Sequence, residues 1–245
     1  MLTPDGSLLS DSPPPGPPAD AEAVAIPAYL DTVYRWAYVN PTTARLLDRN
    51  IVVAAILLGN DRRLRRACLG EIAPGSRVLQ AGHVYGRFVP DLARRVGPGG
   101  RLDVIDVVPL QAALCRSKLD GHANARVHVA DAADPRGPLG AELYDAVSAF
   151  FLLHEIPDDG KRAVVDALLT RLAPGGKAIF IDYHAPARWH PLRGPFRRLF
   201  RRLEPYAESL WNHRIDAFAA EANAFAWRTR TLFGGVYQLT VARRR

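Results

Sequence analysis

Residues 77–86 read RVLQAGHVYG. The short run Arg77 to Leu79 leads into Gln80-Ala81-Gly82, and Gly86 follows before a helical apolar period begins. A strand that spills through a glycine-bearing loop into a helix is the unit from which parallel sheets are built. Outward from this unit the rhythm repeats. Further strands are expected at Leu102 to Ile105, Arg126 to Val129, Ala146 to Ala149 and Ala178 to Ile181. Helices are expected at Gly86 to Arg95, Pro109 to Leu119 and Lys161 to Arg171, with Pro174-Gly175-Gly176 turning the chain after the last. Short apolar strands alternating with helices predict an α/β fold with a mostly parallel sheet covered on both faces. Two last strands between Ala226 and Ala242, around Gly234-Gly235, read as an antiparallel hairpin that completes a seven-stranded sheet.

The rest of the chain narrows the class. With 245 residues, 48% of them hydrophobic and 23% charged, the chain can bury one sizeable core, which excludes a disulfide-stapled miniprotein, a fibrous repeat and a wholly disordered chain. Cys68 and Cys115 form no CxxC pair, so neither a disulfide framework nor a thiolate zinc site is expected. The longest apolar run, Ile51 to Leu58, is far short of the roughly 20 residues that cross a bilayer. The first residues carry no secretory pattern, and the expected location is the cytoplasm. Asp11 to Asp20, DSPPPGPPAD, cannot hold a helix or a strand ladder, so residues 1–25 are expected to be a disordered lead-in. Residues 26–70 read as a helical cap, with Tyr29, Val33, Trp36 and Ala37 at helical spacing before the break at Asn40-Pro41; residues 71–245 form the main domain.

In an open parallel sheet, ligands bind beyond the carboxyl ends of the strands. Three strand exits carry suitable groups. Gly82 and Gly86 allow close approach of the backbone to a ligand. Asp106, followed by Val107, is placed to accept hydrogen bonds from both hydroxyls of a ribose, and Asp131, followed by Ala132, to meet an adenine amino group. In this order the stretch from Glu71 to Tyr183 resembles the class I S-adenosylmethionine-dependent methyltransferases, which have a Rossmann-like fold. That resemblance implies S-adenosyl-L-methionine as cofactor, held by Gln80, Gly82, Val84, Gly86, Asp106, Val107, Asp131 and Ala132.

The first loop departs from that pattern. Gln80 stands at the usual acidic position and Val84 at the middle glycine. A β-branched residue resists positive φ, so the loop should be shaped differently. Loss of the acid removes a counter-charge from the cofactor's α-ammonium and leaves the nucleophilic amine more accessible. Glutamate at position 80 is then expected to restore conventional cofactor handling.

A closer resemblance rests on Gln80, His83-Val84-Tyr85-Gly86, Phe150-Phe151-Leu152-Leu153-His154-Glu155, Asp182-Tyr183-His184, His190-Pro191-Leu192 and Phe233-Gly234-Gly235-Val236-Tyr237-Gln238. Together these are similar to the rhodoquinone biosynthesis methyltransferase-like family (RquA), over nearly the whole chain after Ile26. The resemblance implies conversion of ubiquinone to rhodoquinone, a ring methoxy group being replaced by an amino group from S-adenosyl-L-methionine, with manganese(II) assisting. Carboxylate and imidazole suit that ion, and Asp182, His184, His154 and His190 are the candidate ligands. Gln80, Tyr85, His154 and Asp182 are the candidate catalytic residues. Tyr34, Tyr38, Tyr85 and Tyr183 are the candidates to contact the quinone. A conventional methyltransferase of a quinone or other small hydrophobic acceptor is the alternative.

Residues 196–203 read FRRLFRRL. On a helix Phe196, Leu199, Phe200 and Leu203 share one face and Arg197, Arg198, Arg201 and Arg202 the other, the pattern of a helix lying in a bilayer surface. Within a lid at about 186–220 this segment predicts peripheral attachment to an anionic membrane at its inner face. The net charge of +7 comes from arginine, since Lys118, Lys161 and Lys177 are the only lysines. No nucleic-acid recognition motif accompanies it.

Overall fold

Near-continuous burial along the central strands decides the architecture. A computed structural model describes residues 41–134 and 136–245, together with Pro27. The expected lead-in, and Tyr34, Trp36 and Tyr38 of the expected cap, lie outside the described residues. The strands are β1 (Arg77–Ala81), β2 (Arg101–Asp106), β3 (Ala125–Val129), β4 (Tyr144–Phe150), β5 (Leu172–Tyr183), β6 (Phe225–Leu232) and β7 (Tyr237–Arg244). They form one sheet in the order β3-β2-β1-β4-β5-β7-β6. The first five are mutually parallel; β7 runs antiparallel to β5, and β6 to β7.

The sheet has two apolar faces. Val78 belongs to one core and its neighbour Leu79 to the other, and Val104 and Ile105 divide in the same way. This period of two on a doubly covered sheet gives near-continuous apolar strands. Helix α4 (Phe88–Val96) buries Phe88, Val89, Leu92, Ala93 and Val96 on the first face, while α7 (Asp158–Thr170) buries Val164, Val165, Leu168 and Leu169 on the second. Leu92 is fully buried, and its truncation to Ala would cost about 2–5 kcal/mol.

One expected turn lies inside a strand instead. Tyr144 pairs with Leu172 and Ala146 with Lys177, so Pro174-Gly175-Gly176 is extruded as a bulge within β5. A Cβ on Gly176 would lie 2.9 Å from the carbonyl oxygens of both Ala173 and Tyr144, which only glycine avoids. Lys177, just after it, ion-pairs with Glu71.

Residues 41–70 form α1 (Pro41–Leu47), α2 (Asn50–Ile56) and α3 (Asp61–Leu69). Helix α3 buries Leu64 and Cys68 against the domain, whereas α2, almost entirely apolar, buries none of its residues. The remaining helices are α5 (Pro109–Lys118), the single turn α6 (Arg136–Leu139), α8 (Arg193–Leu203) and α9 (Ser209–Asn212). Among the described residues no helix is long and apolar enough to cross a membrane.

Candidate functional site

A cavity opens where β1 to β4 end, roofed by α2 and α3. Its first wall is the loop after β1. Gly82 and Gly86 both have positive φ, +80° and +79°, while Val84 stays out of that region and instead lines the cavity and packs on the core. The loop is held from below: Lys118 Nζ donates to the Val84 and Gly86 carbonyls, at 3.1 and 3.0 Å, and to Asp48, and Asp48 accepts the Gly86 N–H at 2.8 Å.

Gln80 does not line the cavity, which corrects the expectation that it meets the cofactor or takes part in catalysis by contact. It is fully buried behind the loop. Its Nε2 donates to the carbonyls of Ala81 and Gly82, at 2.6 and 3.1 Å, and its Oε1 accepts from Ser148. A glutamate here would set a carboxylate against two carbonyl oxygens, so Gln80→Glu carries a cost in stability.

Beside Gln80's loop lies a chain of three polar groups. His83 Nδ1 pairs with Gln111 Oε1, and Gln111 Nε2 donates to the Tyr85 hydroxyl, both at 2.9 Å. With Nδ1 as donor, His83 Nε2 is an acceptor, buried and unpaired. Burial, reinforced by Lys118, lowers the His83 pKa to about 3, so the ring is neutral. The His83 N–H donates to Asp106 Oδ2 at 2.7 Å, and the Val108 N–H to Asp106 Oδ1 at 2.8 Å. Each carboxylate oxygen keeps a lone pair. Burial lifts the Asp106 pKa to about 6, against the pull of those two N–H groups. Asp131 accepts the Ala133 N–H at 2.9 Å in a tight turn and lines the cavity with Val107 and Ala132.

The opposite wall is aromatic and charged. Asp182, at the end of β5, accepts the backbone N–H groups of Leu153, His154 and Tyr183 at 2.8, 3.3 and 2.8 Å, which caps the short 3₁₀ turn Leu153–Glu155. His154 Nδ1 stands 3.0 Å from Asp182 Oδ1, while its Nε2 is 3.6 Å from Glu155. Burial opposes charge on His154, but the Asp182 carboxylate prevails and raises its pKa to about 9, so the ring is an imidazolium. Tyr183 packs its ring edgewise on His154 and Phe151, at 4.9 and 5.1 Å. Phe151 has φ of +53°, an uncommon conformation for a bulky residue at the cavity edge. Buried Lys161 donates to the Ile156 and Tyr206 carbonyls, each at 2.8 Å, and so ties the segment after α8 to the turn after β4.

The four expected metal ligands do not converge. Asp182 is spent on backbone caps and His154. His184 bonds the Gly235 carbonyl at 2.9 Å, and the His190 ring lies so close to Gly234 that a Cβ there would be 2.3 Å from it. The His184 N–H still bonds the Val236 carbonyl at 2.8 Å, and its ring is taken up by the β6–β7 connection at Gly235. Among the described residues no three His, Cys, Asp or Glu side chains are grouped to hold a metal ion. The residues present do not fit manganese(II). Of the expected contacts, Gly82, Val84, Tyr85, Gly86, Asp106, Val107, Asp131, Ala132, His154 and Tyr183 line this same cavity. Gln111 and Glu204, the latter at the end of α8, line the cavity as well, and Lys118 and Asp48 support it, without any local sequence signal that marks them.

Residues 78–176 match the family model of a methyltransferase domain. The fold is the class I methyltransferase fold. An O-methyltransferase family protein from Burkholderia thailandensis has a TM-score of 0.63 at 18% identity, over 84% of this chain and 61% of its own. The mitomycin 7-O-methyltransferase MmcR aligns with a TM-score of 0.61 at 18% identity, over 86% and 60%. The N-methyltransferase NodS from Bradyrhizobium japonicum, solved with S-adenosyl-L-homocysteine, gives 0.54 at 18%, over 88% and 98%. The chain thus spans about three fifths of the two O-methyltransferases. No curated protein sequence matches it. These likenesses establish the methyltransferase fold, whose strand exits are the ones that build the cavity.

Proposed function

We propose that the protein is an S-adenosylmethionine-dependent methyltransferase acting on a small hydrophobic acceptor such as a quinol. The carrying observation is the line of polar exits from β1 to β3 within the matched methyltransferase domain. Sheet order runs β3-β2-β1, so a ligand with adenine at Asp131 and ribose at Asp106 extends its remaining part to the β1 loop. The cofactor supplies an electrophilic methyl group on a sulfonium. The chain supplies the rest. Asp106 would hold the ribose through the lone pairs left by its two backbone N–H groups, and Val107 and Ala132 would offer the base an apolar surface. His154, kept positive by Asp182, is a hydrogen-bond donor for an acceptor oxygen and cannot take up a proton. Glu155 and Glu204 are carboxylates that line the cavity with it.

Amino transfer to ubiquinone, the reaction of the family that the chain resembles, is a second reading. It is favoured by the exit of β1, residues 80–86, which holds no carboxylate to pair with an α-ammonium; Gln80 itself is turned away behind the loop. No step is assigned to manganese(II).

One experiment separates the readings. The protein is incubated with quinols or detergent-dispersed ubiquinone and S-adenosylmethionine labelled with heavy carbon in the methyl group and heavy nitrogen in the α-amine. Gain of heavy methyl supports methyl transfer; heavy nitrogen in place of methoxy supports amino transfer. An unlabelled product set, with no heat of binding for S-adenosylhomocysteine, overturns both.

A further inference from the structure

Two helices on the rim of the cavity leave apolar surface in water. On α8, Phe196 and Phe200 face the domain and are buried, so only half of the expected apolar stripe is spent on packing. Leu199 and Leu203 remain 46% and 49% exposed, and Trp189, just before the helix, is 78% exposed. Four arginines surround them: Arg197, Arg198, Arg201 and Arg202 are all exposed. Among the described residues their one ion pair is Arg201 with Glu208, at the 4.0 Å limit and open to solvent. On the same cavity, α2 turns Asn50 and Val53 to the interior and leaves Ile51 78% exposed, with Leu58 at 43% just beyond it. An almost wholly apolar helix with no buried residue is unusual in water unless something covers its outer side. Both helices border one cavity, since Val53 and Glu204 line it together.

We propose that this rim docks on an anionic lipid bilayer, with Trp189, Leu199 and Leu203 in the headgroup region, the α8 arginines on lipid phosphates and α2 beside them. The inference deepens the reading of a hydrophobic acceptor by naming the phase from which it would enter. Charge and shape select the occupant. Guanidinium groups with almost no acidic neighbours call for a polyanion, and apolar side chains set among them call for one with an apolar interior. A nucleic acid offers the first property without the second.

The test is sedimentation of the full chain with unilamellar vesicles of phosphatidylcholine alone or mixed with phosphatidylglycerol. The protein should pellet with the mixed vesicles only and be released by salt. The double variant Arg198→Gln/Arg202→Gln should bind about thirtyfold more weakly, at about 1 kcal/mol per basic residue. Leu199→Asp should weaken binding with the arginines intact. Arg126→Gln/Arg243→Gln removes two exposed charges at the opposite end of the sheet and should change little. Equal weakening by that control would reduce the effect to net charge and overturn the docking face. So would absence of pelleting, equal pelleting with neutral vesicles, or displacement by duplex DNA at equal phosphate concentration. Titration of each variant with S-adenosylhomocysteine reports folding and tests the cofactor reading separately, because vesicle binding needs no cofactor.

Discussion

The two walls of the cavity are built by different physics. On the β1–β3 side, Asp106 and Asp131 are held by backbone N–H groups, and Lys118 braces the loop through two carbonyls. On the β4–β5 side, a carboxylate and an imidazolium are sealed together behind a ring of aromatic edges, next to a phenylalanine of positive φ. The first wall can lose a polar side chain and keep its shape. The second depends on one charge neutralising another where water cannot.

Asp182→Asn probes that difference most severely. It keeps acceptors for the turn but strips His154 of its counter-charge, and an unpaired buried charge costs about 3–5 kcal/mol. Denaturant unfolding should show that loss, and a loss below about 1 kcal/mol would erase the contrast between the walls. Asp106→Asn should do the reverse. Affinity for S-adenosylhomocysteine by calorimetry should drop about a hundredfold, from two charge-assisted bonds, with stability at neutral pH unchanged or higher, because burial disfavours that carboxylate's charge. A stability loss as large as that of Asp182→Asn would mean that the first wall, too, rests on charge. Gln80→Glu should cost about 1–3 kcal/mol of stability through repulsion from the Ala81 and Gly82 carbonyls; a thermal midpoint equal to that of the parent would show that the loop yields. The smallest effect concerns pH. Asp106 has its pKa raised from 3.8 to about 6, so it takes up a proton as pH falls through 6 and loses an acceptor. Affinity for S-adenosylhomocysteine should fall about tenfold between pH 7 and pH 5, and a flat profile would place the ribose elsewhere.

The first wall was the legible one. Strand ends marked by Gly82, Asp106 and Asp131 follow from apolar runs that stop at polar residues, and that signal is local. The second wall escaped because its signals are not local. Whether Asp182 aims at a ligand or at the backbone of residues 153 and 154, and whether His184 turns to a ligand or to Gly235, depends on segments 29 and 51 residues away in sequence. Gln80 misled for a related reason: its position beside the loop was readable, but the side chain turns inward to Ser148, 68 residues away in sequence. The Lys118–Asp48 brace joins residues 70 apart. The bulge of Pro174-Gly175-Gly176 looked like a turn because the same residues serve both.

All three lysines are engaged within the fold: Lys118 under the loop, Lys161 beneath the segment after α8, Lys177 on Glu71. Among the described residues the outward positive charge is therefore carried by guanidinium. A guanidinium keeps its proton at every physiological pH and does not react with acylating reagents that attack amines. Acetyl transfer would leave the rim's attraction for anions untouched, and amine-directed labels would find poor footing on the folded domain. Ionic strength and the composition of the opposing surface are left as the means of tuning it.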